Sequence, residues 1–237
     1  MPLKTRDLIL AALEELDIGD FPARPFDCAF ELLAAPASRK RLIMVGFNGS
    51  LADAIHTNAG AIHAGYDQPS FSNVAHGLEG GWGTKTLARR LTQLPADLGF
   101  DWRDTVYTNA LLLCSADAAA IQKVARQSSA ASLESLTRKS MDFFQRVTVP
   151  LAEPELIIAY SNGLGSPSAA RILWEAFGNE APLDHIDSSS YRATYGFTAT
   201  INDRKVPVVG VRHMSRFVPN IEAIKLAWTR QKARFGS

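Results

Sequence analysis

The chain has 237 residues, of which 46% are hydrophobic and 21% are charged, and its formal net charge is +1 at pH 7. These values are ordinary for a soluble globular protein and argue against a disordered or uniformly basic chain. No stretch approaches the roughly 20 apolar residues of a membrane span, and the first 17 residues have the pattern of an amphipathic helix, not of a signal peptide. We therefore expect no membrane contact.

Cysteine and histidine usage argues against a metal or cofactor. The two cysteines, Cys28 and Cys114, have no Cys or His partner at metal-ligand spacing, so a disulfide framework, a structural zinc site and an iron–sulfur cluster are not expected. Two other sets of candidate metal ligands lack the helical spacing of known zinc sites. The first set is His56, His63 and Asp67, and the second is Asp184, His185 and Asp187. We predict a monomeric, cytoplasmic protein without metal or cofactor.

The first 83 residues predict two helices, one strand and a long loop. Apolar periodicity indicates a helix over 3–17, and DCAFELLAA (27–35) indicates a second, short one. A strand over 41–45 follows. Residues 48–83 contain one proline, seven glycines and three asparagines, which predicts an irregular loop, and loops of this length in compact domains are usually functional.

The rest of the chain alternates helices with strands. We predict a helix that begins at Thr84 and ends at Pro95, and a later helix that begins at Ser166 or Pro167. The remaining elements are strands at 104–113, 155–160, 191–201 (half-exposed) and 206–212, and helices near 117–127, 131–147 and 219–232. This order predicts a three-layer α/β/α fold with a mainly parallel central sheet. It is expected to form one domain over 1–237, with 1–40 as an N-terminal helical extension packed on it.

Three apolar runs end abruptly at polar residues: RLIMVGFNGS (41–50), DTVYTNALLLC (104–114) and VPVVGVRHMS (206–215). Short runs rich in Val, Ile and Leu are typical of strands buried on both faces in parallel sheets. Ligands of open α/β sheets bind at the carboxyl ends of the strands. Asn48, Asn109 and His213 are therefore expected to line one cleft.

Each of these residues also has a purely structural interpretation. Asn48 fits a turn, Asn109 fits a strand end, and His213 fits a loop exposed to solvent. The segment SNGLGSPS (161–168) lacks the spacing of a phosphate-binding loop or of a nucleophilic serine elbow, so a strand-to-helix turn is sufficient to explain it.

Taken in order, the polar segments resemble the uracil-DNA glycosylase superfamily. GFNGS (46–50) is similar to its water-activating motif, YTNALLLC (107–114) to its base-reading segment, and GVRHMSRF (210–217) to its final catalytic loop. The resemblance covers about residues 41–228. Gly49 and Met214 replace expected prolines, and the cysteines of the cluster-bearing members are missing. The resemblance implies a divergent, cluster-free member with a uracil-DNA glycosylase-like fold.

The resemblance also implies roles for individual residues. Asn48 would orient the attacking water, and His213 would stabilise the departing base. Base binding would fall to Gly46, Phe47, Asn109 and an aromatic floor, for which Phe71 is the first choice and Trp82 a further one. DNA contacts would fall to Arg212, Met214, Ser215, Arg216 and Phe217, with Met214, Phe217 and Val218 as a wedge and Lys85, Arg89 and Arg90 as a second phosphate patch.

The implied activity is that of a base excision repair enzyme, a DNA glycosylase that flips uracil or another deaminated base out of DNA and hydrolyses its N-glycosidic bond. Its partner would be DNA that contains a damaged or deaminated base. One alternative is a non-catalytic protein that binds nucleic acid or a nucleobase with the same fold. Another is a hydrolase of small nucleosides or related metabolites.

Overall fold

The computed structural model describes residues 5–23, 41–49, 56–65, 85–101, 104–178, 182–187 and 193–234. The strands are β1 (Pro22–Ala23), β2 (Leu42–Gly46), β3 (His56–Thr57), β4 (Thr105–Asn109), β5 (Leu156–Ala159), β6 (Asp184–Asp187), β7 (Thr194–Ile201) and β8 (Arg204–Val211). The helices are α1 (Thr5–Glu15), α2 (Asn58–Gly65), α3 (Lys85–Asp97), α4 (Ile121–Gln127), α5 (Leu133–Phe143), α6 (Val149–Ala152), α7 (Ala169–Phe177) and α8 (Ile221–Ala233). A π-helical turn (Phe144–Thr148) joins α5 to α6.

Six strands form one sheet in the order β4-β2-β5-β8-β7-β6. The first four are parallel to one another, and β7 and β6 are antiparallel additions at one side. The parallel strands β2, β4 and β5 are buried along their whole length, as their unbroken apolar runs predict. Their carboxyl ends, with that of β8, therefore share one edge of the sheet.

Helices cover both faces of this sheet. A Cβ built on Gly210 of β8 would meet Ala170 of α7, whereas a Cβ built on Gly196 of β7 would meet Ala227 of α8. Tyr195 is the register partner of Gly210 and precedes Gly196, and successive strand residues face opposite sides. The helices α7 and α8 thus pack on opposite faces, as a three-layer arrangement requires. The predicted α/β class with a mainly parallel central sheet is confirmed.

The N-terminal helix shares the core of this domain. Ile9 and Leu13 of α1 are fully buried in the same cluster as the strands. The helix predicted over 27–35 lies outside the described residues.

Pro95 does not end its helix as predicted, because α3 continues to Asp97. A proline has no N–H to donate to the carbonyl four residues before it. That carbonyl belongs to Leu91, and the Tyr107 hydroxyl donates to it at 3.1 Å. A residue of β4 therefore satisfies the acceptor that Pro95 leaves open, and the helix tolerates the proline near its end.

The described part of the predicted loop over 48–83 includes regular secondary structure. It contains β3 and α2, and β3 pairs with β1 in a two-stranded sheet. Asn58 is fully buried and donates to the carbonyls of Ile18 and Leu112 at 2.8 and 2.9 Å. The density of Gly and Asn in 48–83 predicts irregular backbone. Asn58, however, is a structural residue that links three segments of the fold.

Other differences from the prediction concern element boundaries and the burial of β7. The strand predicted over 104–113 ends at Asn109. The buried residues that follow it form hydrogen bonds with the end of β2 and the residue after it. Ala110 N–H donates to Gly46 O at 2.8 Å, and Leu111 N–H donates to Phe47 O at 3.0 Å. The N-cap of α7 is Ser168, whose side chain accepts from Arg171 N–H. The predicted half-exposed strand β7 is mostly buried, because helices cover both of its faces.

Candidate active site at the carboxyl edge of the sheet

A cavity of about 420 Å³ lies where the parallel strands end. It is lined by Asn48, Asn109 and His213 together with Gly46 and Phe47, so the structure brings the three distant polar residues of the sequence prediction to one place. The volume is in the range of small-molecule sites. The location matches the ligand-binding edge of open α/β sheets.

The amide group of Asn48 is oriented by its neighbours. The Ser115 hydroxyl donates to the carbonyl oxygen of Asp117 at 2.5 Å, so Ser115 Oγ must act as the acceptor toward Asn48. Asn48 Nδ2 donates to Ser115 Oγ at 2.7 Å and to Gly49 O at 2.9 Å. Both amide protons are thereby used, and the amide oxygen is left on the other side of the group.

Gly46 allows two side chains to meet above the end of β2. A Cβ at this position would lie 2.5 Å from Asn109 Oδ1 and 2.5 Å from the Tyr160 hydroxyl oxygen. Asn109 ends β4 and Tyr160 follows β5, the strands on either side of β2. Only a glycine leaves room for these two polar groups to converge over the central strand.

The tautomer of His213 follows from a backbone hydrogen bond. The N–H of Ser215 donates to His213 Nδ1 at 3.3 Å, and Ser215 Oγ lies 2.7 Å from the same nitrogen. Because a backbone N–H can only donate, Nδ1 is an acceptor, and the neutral ring carries its proton on Nε2. Nε2 is therefore the hydrogen-bond donor that His213 offers to a ligand.

The surroundings of His213 favour its neutral form. Packing of protein atoms around the ring lowers the pKa of His213 below its ordinary value although part of the ring is exposed, and the nearby guanidinium of Arg216 lowers it further. The Tyr160 ring contributes to this packing, edge-on at a centroid distance of 6.0 Å. The lowered pKa favours the uncharged imidazole at neutral pH.

Four residues with a predicted DNA-binding role, Arg212, Ser215, Arg216 and Phe217, line a second cavity of about 610 Å³, which shares His213 with the first. The guanidinium of Arg212 stacks over the Phe217 ring at 4.1 Å. Val218 is 62% exposed nearby. Ser215, in addition, contacts His213 directly.

Met214 does not have the position that the sequence predicted. Its side chain is fully buried in the core, so it cannot serve as a surface wedge in this conformation. Arg90 donates to the Met214 carbonyl oxygen at 2.6 Å and so connects α3 to the His213 loop. Of the three residues predicted to form a wedge, Phe217 and Val218 are the two that this burial does not exclude.

Of the residues predicted to form an aromatic floor, only Phe47 lies within the described residues. Phe47 lines the cavity and packs partly buried against the core. Phe71 and Trp82 lie outside the described residues.

In the second predicted phosphate patch, Arg89 is exposed on α3.

Sequence reasoning missed Tyr160, Ser115 and Asp117, all of which line the cavity. Tyr160 follows the buried strand LIIA just as the Asn48 segment follows LIMV, so the rule that found Asn48 also identifies Tyr160. Ser115 and Asp117 carry no such signal. Their position depends on the chain from 110 to 115 running beside the end of β2, where Ser115 N–H donates to Gly49 O at 3.0 Å.

Within the described ranges, no three His, Cys, Asp or Glu side chains form a group that could hold a metal ion. None of the described helices combines the length and the apolar content that a membrane-spanning helix needs. The sequence matches no protein-family model and no curated protein. The geometry of the cavity is therefore the main indication of function.

Proposed function

We propose that the protein is a DNA glycosylase that removes uracil or another deaminated base from DNA, and that its fold is a divergent form of the uracil-DNA glycosylase fold. The observation that carries this proposal is the convergence of Asn48, Asn109 and His213 on one cavity at the carboxyl edge of the sheet. The orientation of Asn48 and the protonation of His213 support it, because each presents the group that the reaction needs.

Hydrolysis of a base from deoxyribose requires a nucleophile and a stabilised leaving group. The bond from C1′ to the base breaks, its electron pair passes to the base, and a water oxygen forms a new bond to C1′. The leaving base develops negative charge on its carbonyl oxygen. Nε2–H of neutral His213 can donate to this oxygen, and a preorganised donor of this kind contributes about 10²–10³ in rate.

Asn48 orients the water without removing its proton. An amide is not a general base near neutral pH, so the proton passes to solvent while the base anion is protonated later. Both N–H groups of Asn48 donate to protein atoms, so the amide oxygen is the atom that can accept a hydrogen bond from the water. Since an amide stabilises the positively charged sugar less than a carboxylate would, we expect slow catalysis.

Asn109 offers both a donor and an acceptor, which match the carbonyl and N–H on the Watson–Crick edge of uracil. The second cavity begins beside His213, where Arg212 and Arg216 provide positive charge for phosphates. A flipped nucleotide in the first cavity would therefore have its backbone near the second.

The test is a cleavage assay. Purified protein is incubated with single- and double-stranded oligonucleotides containing uracil, hypoxanthine or xanthine, and abasic sites are then converted to strand breaks by alkali. The expected result is a break at one or more of these bases that is lost in His213→Ala. His63→Ala is the matched control, since His63 is exposed on α2 and bonded to Arg6. No break on any substrate would refute the proposal.

A second candidate is a binding protein without catalysis. It is favoured by the amide at position 48, where a carboxylate would give a stronger catalyst, next to a cavity with two arginines. Tight, salt-sensitive binding to the same oligonucleotides without base release would support it. Release of uracil from free deoxyuridine without DNA would instead indicate a nucleoside hydrolase.

A further inference from the structure

The second cavity, of about 610 Å³, adjoins the first, because Ser161 and His213 line both. Its volume is in the range of sites that hold small organic ligands and is far larger than a phosphate group needs. For a strand that places one nucleotide in the first cavity, the next nucleotide along the strand is the part closest to the second.

The walls of the second cavity include flat side chains. Phe217 is half-buried and carries the guanidinium of Arg212 over its ring at 4.1 Å. On β6, the exposed ring of His185 lies 5.6 Å from the buried Tyr195 ring, and both residues line the cavity. Aromatic rings and guanidinium planes are the surfaces on which proteins stack unpaired bases.

Asn162, in the loop after β5, gives this cavity an oriented polar group. Its Nδ2 donates to Ala193 O at 2.9 Å and to Gly210 O at 3.3 Å. Carbonyl oxygens only accept, so these bonds fix which side of the amide is nitrogen. Asn162 Oδ1 has no hydrogen bond to any residue that the structure describes. Because Asn162 lines the cavity, its amide offers a ligand an acceptor and no donor.

A lone acceptor discriminates among ligands. Phosphate oxygens also accept hydrogen bonds, so the Asn162 amide oxygen disfavours a phosphate beside it. Cytosine and adenine carry an exocyclic amino group, which is a donor, whereas thymine carries a carbonyl oxygen at the position of the cytosine amino group. A base with an amino group therefore matches Asn162, and thymine opposes it.

We propose that the second cavity binds the nucleobase next to the excised one, and that Asn162 selects there for a base with an exocyclic amino group. This inference rests on the proposed function of the first cavity. It makes Asn162 a specificity-determining residue for the sequence around the target base.

The experiment measures kcat/KM for single-stranded oligonucleotides that contain one target base with cytosine, 5-methylcytosine or thymine as its 5′ or 3′ neighbour. The comparison of 5-methylcytosine with thymine is the sharpest, since both carry the same methyl group. At one of the two positions, wild type is expected to favour both amino-bearing bases over thymine by about tenfold, because thymine leaves the acceptor unpaired.

Asn162→Ala removes the acceptor and should bring the ratio for 5-methylcytosine over thymine close to one. It also removes two bonds to the backbone, so Asn162→Ser, which keeps a hydroxyl, serves if Asn162→Ala does not fold. Asn202→Ala is the matched control, because Asn202 is exposed and donates to Gln145 O at 2.8 Å. It should keep the wild-type ratio. A purely structural role of Asn162 would lower all rates together and leave the ratio unchanged.

Failure of this inference is distinguishable from failure of the proposed function. If wild type releases no base from any oligonucleotide, the proposed function is wrong, and calorimetric titration with the same oligonucleotides then tests the subsite by itself. Equal rates or affinities for 5-methylcytosine and thymine at both positions in wild type would overturn the subsite. A preference that persists in the folded Asn162 variants would overturn the role of Asn162.

Discussion

The two sides of the cavity are held in different ways. On one side, the chain from Gly46 to Gly49 is bonded to residues more than 60 positions away, because Ala110, Leu111 and Ser115 donate to its carbonyls. On the other side, the His213 loop is closed mainly by its own turn, in which the N–H groups of Arg216 and Phe217 both donate to His213 O at 3.1 Å.

This difference separates stability from chemistry. The Asn48 amide is one member of a hydrogen-bond network that also joins β2 to the chain after β4, so changing it should affect both folding and activity. His213 is exposed, and its hydrogen bonds to described residues, both to Ser215, lie within its own loop. Changing His213 should affect activity and leave folding almost intact.

The largest expected effect is on the His213 side. His213→Ala removes the donor to the leaving base and should lower the single-turnover rate by about 10²–10³. Because the ring is exposed, the free energy of unfolding should change by no more than about 0.5 kcal/mol. Rapid-quench cleavage and urea unfolding measure the two quantities. A large loss of stability would show that the loop is not a local unit.

A change of Asn48 should affect both quantities. In Asn48→Asp the new carboxylate cannot donate to Gly49 O, and Ser115 can donate to the carboxylate only by giving up its bond to Asp117 O, so about 1–3 kcal/mol of stability should be lost. The carboxylate must turn away from Gly49 O, and the rate should fall about tenfold, on the order of 1.4 kcal/mol in the activation barrier.

Asn202→Asp is the matched control for this change. Asn202 donates to Gln145 O at 2.8 Å, but it is exposed, so the same substitution should cost at most about 0.5 kcal/mol. An Asn48→Asp protein as stable as wild type and faster would contradict the proposed orientation of the amide.

The bond from Arg90 to the Met214 carbonyl oxygen gives the next smaller effect. Arg90→Gln removes the donor to Met214 O and should lower the free energy of unfolding by about 1.5 kcal/mol. It should also lower the saturated rate a few-fold, on the order of 1 kcal/mol or less, because the carbonyl next to His213 is released.

Arg89→Gln controls for the lost charge in the unfolding measurement, since Arg89 is exposed on the same helix. Equal unfolding free energies for the two variants would show that the contact between Arg90 and Met214 contributes nothing to the loop.

The order of these effects also shows what the sequence could predict. The strands that carry Asn48, Asn109 and His213 were visible because buried parallel strands give unbroken runs of apolar β-branched residues. Strand direction then places their ends together without knowledge of any long-range contact. The cavity could be predicted for this reason.

Side-chain orientation could not be predicted in the same way. Met214 follows His213 in sequence and is apolar, which suits either a wedge or the core, and only tertiary packing decides that it is buried. Likewise, the local sequence predicts a helix end at Pro95. The bond from the Tyr107 hydroxyl to Leu91 O, which lets the helix continue, depends on tertiary structure. Such positions depend on residues distant in sequence, and local patterns do not report them.

The smallest expected effect concerns the pH dependence of His213. Its lowered pKa places the neutral, active form at neutral pH, so activity should fall only when the pH drops below the ordinary histidine range. Arg216→Gln removes a positive charge that disfavours protonation, which raises the pKa of His213 and moves the acid limb of the rate profile to higher pH. Single-turnover rates at saturating enzyme measure this limb without interference from weaker DNA binding.

Arg212→Gln is the matched control, because the Arg212 guanidinium stacks on Phe217, and it should leave the acid limb in place. Added salt should reduce the difference between Arg216→Gln and wild type, since screening weakens the same interaction. An acid limb at the same pH in both proteins at low salt would show that packing alone sets the charge state of the imidazole.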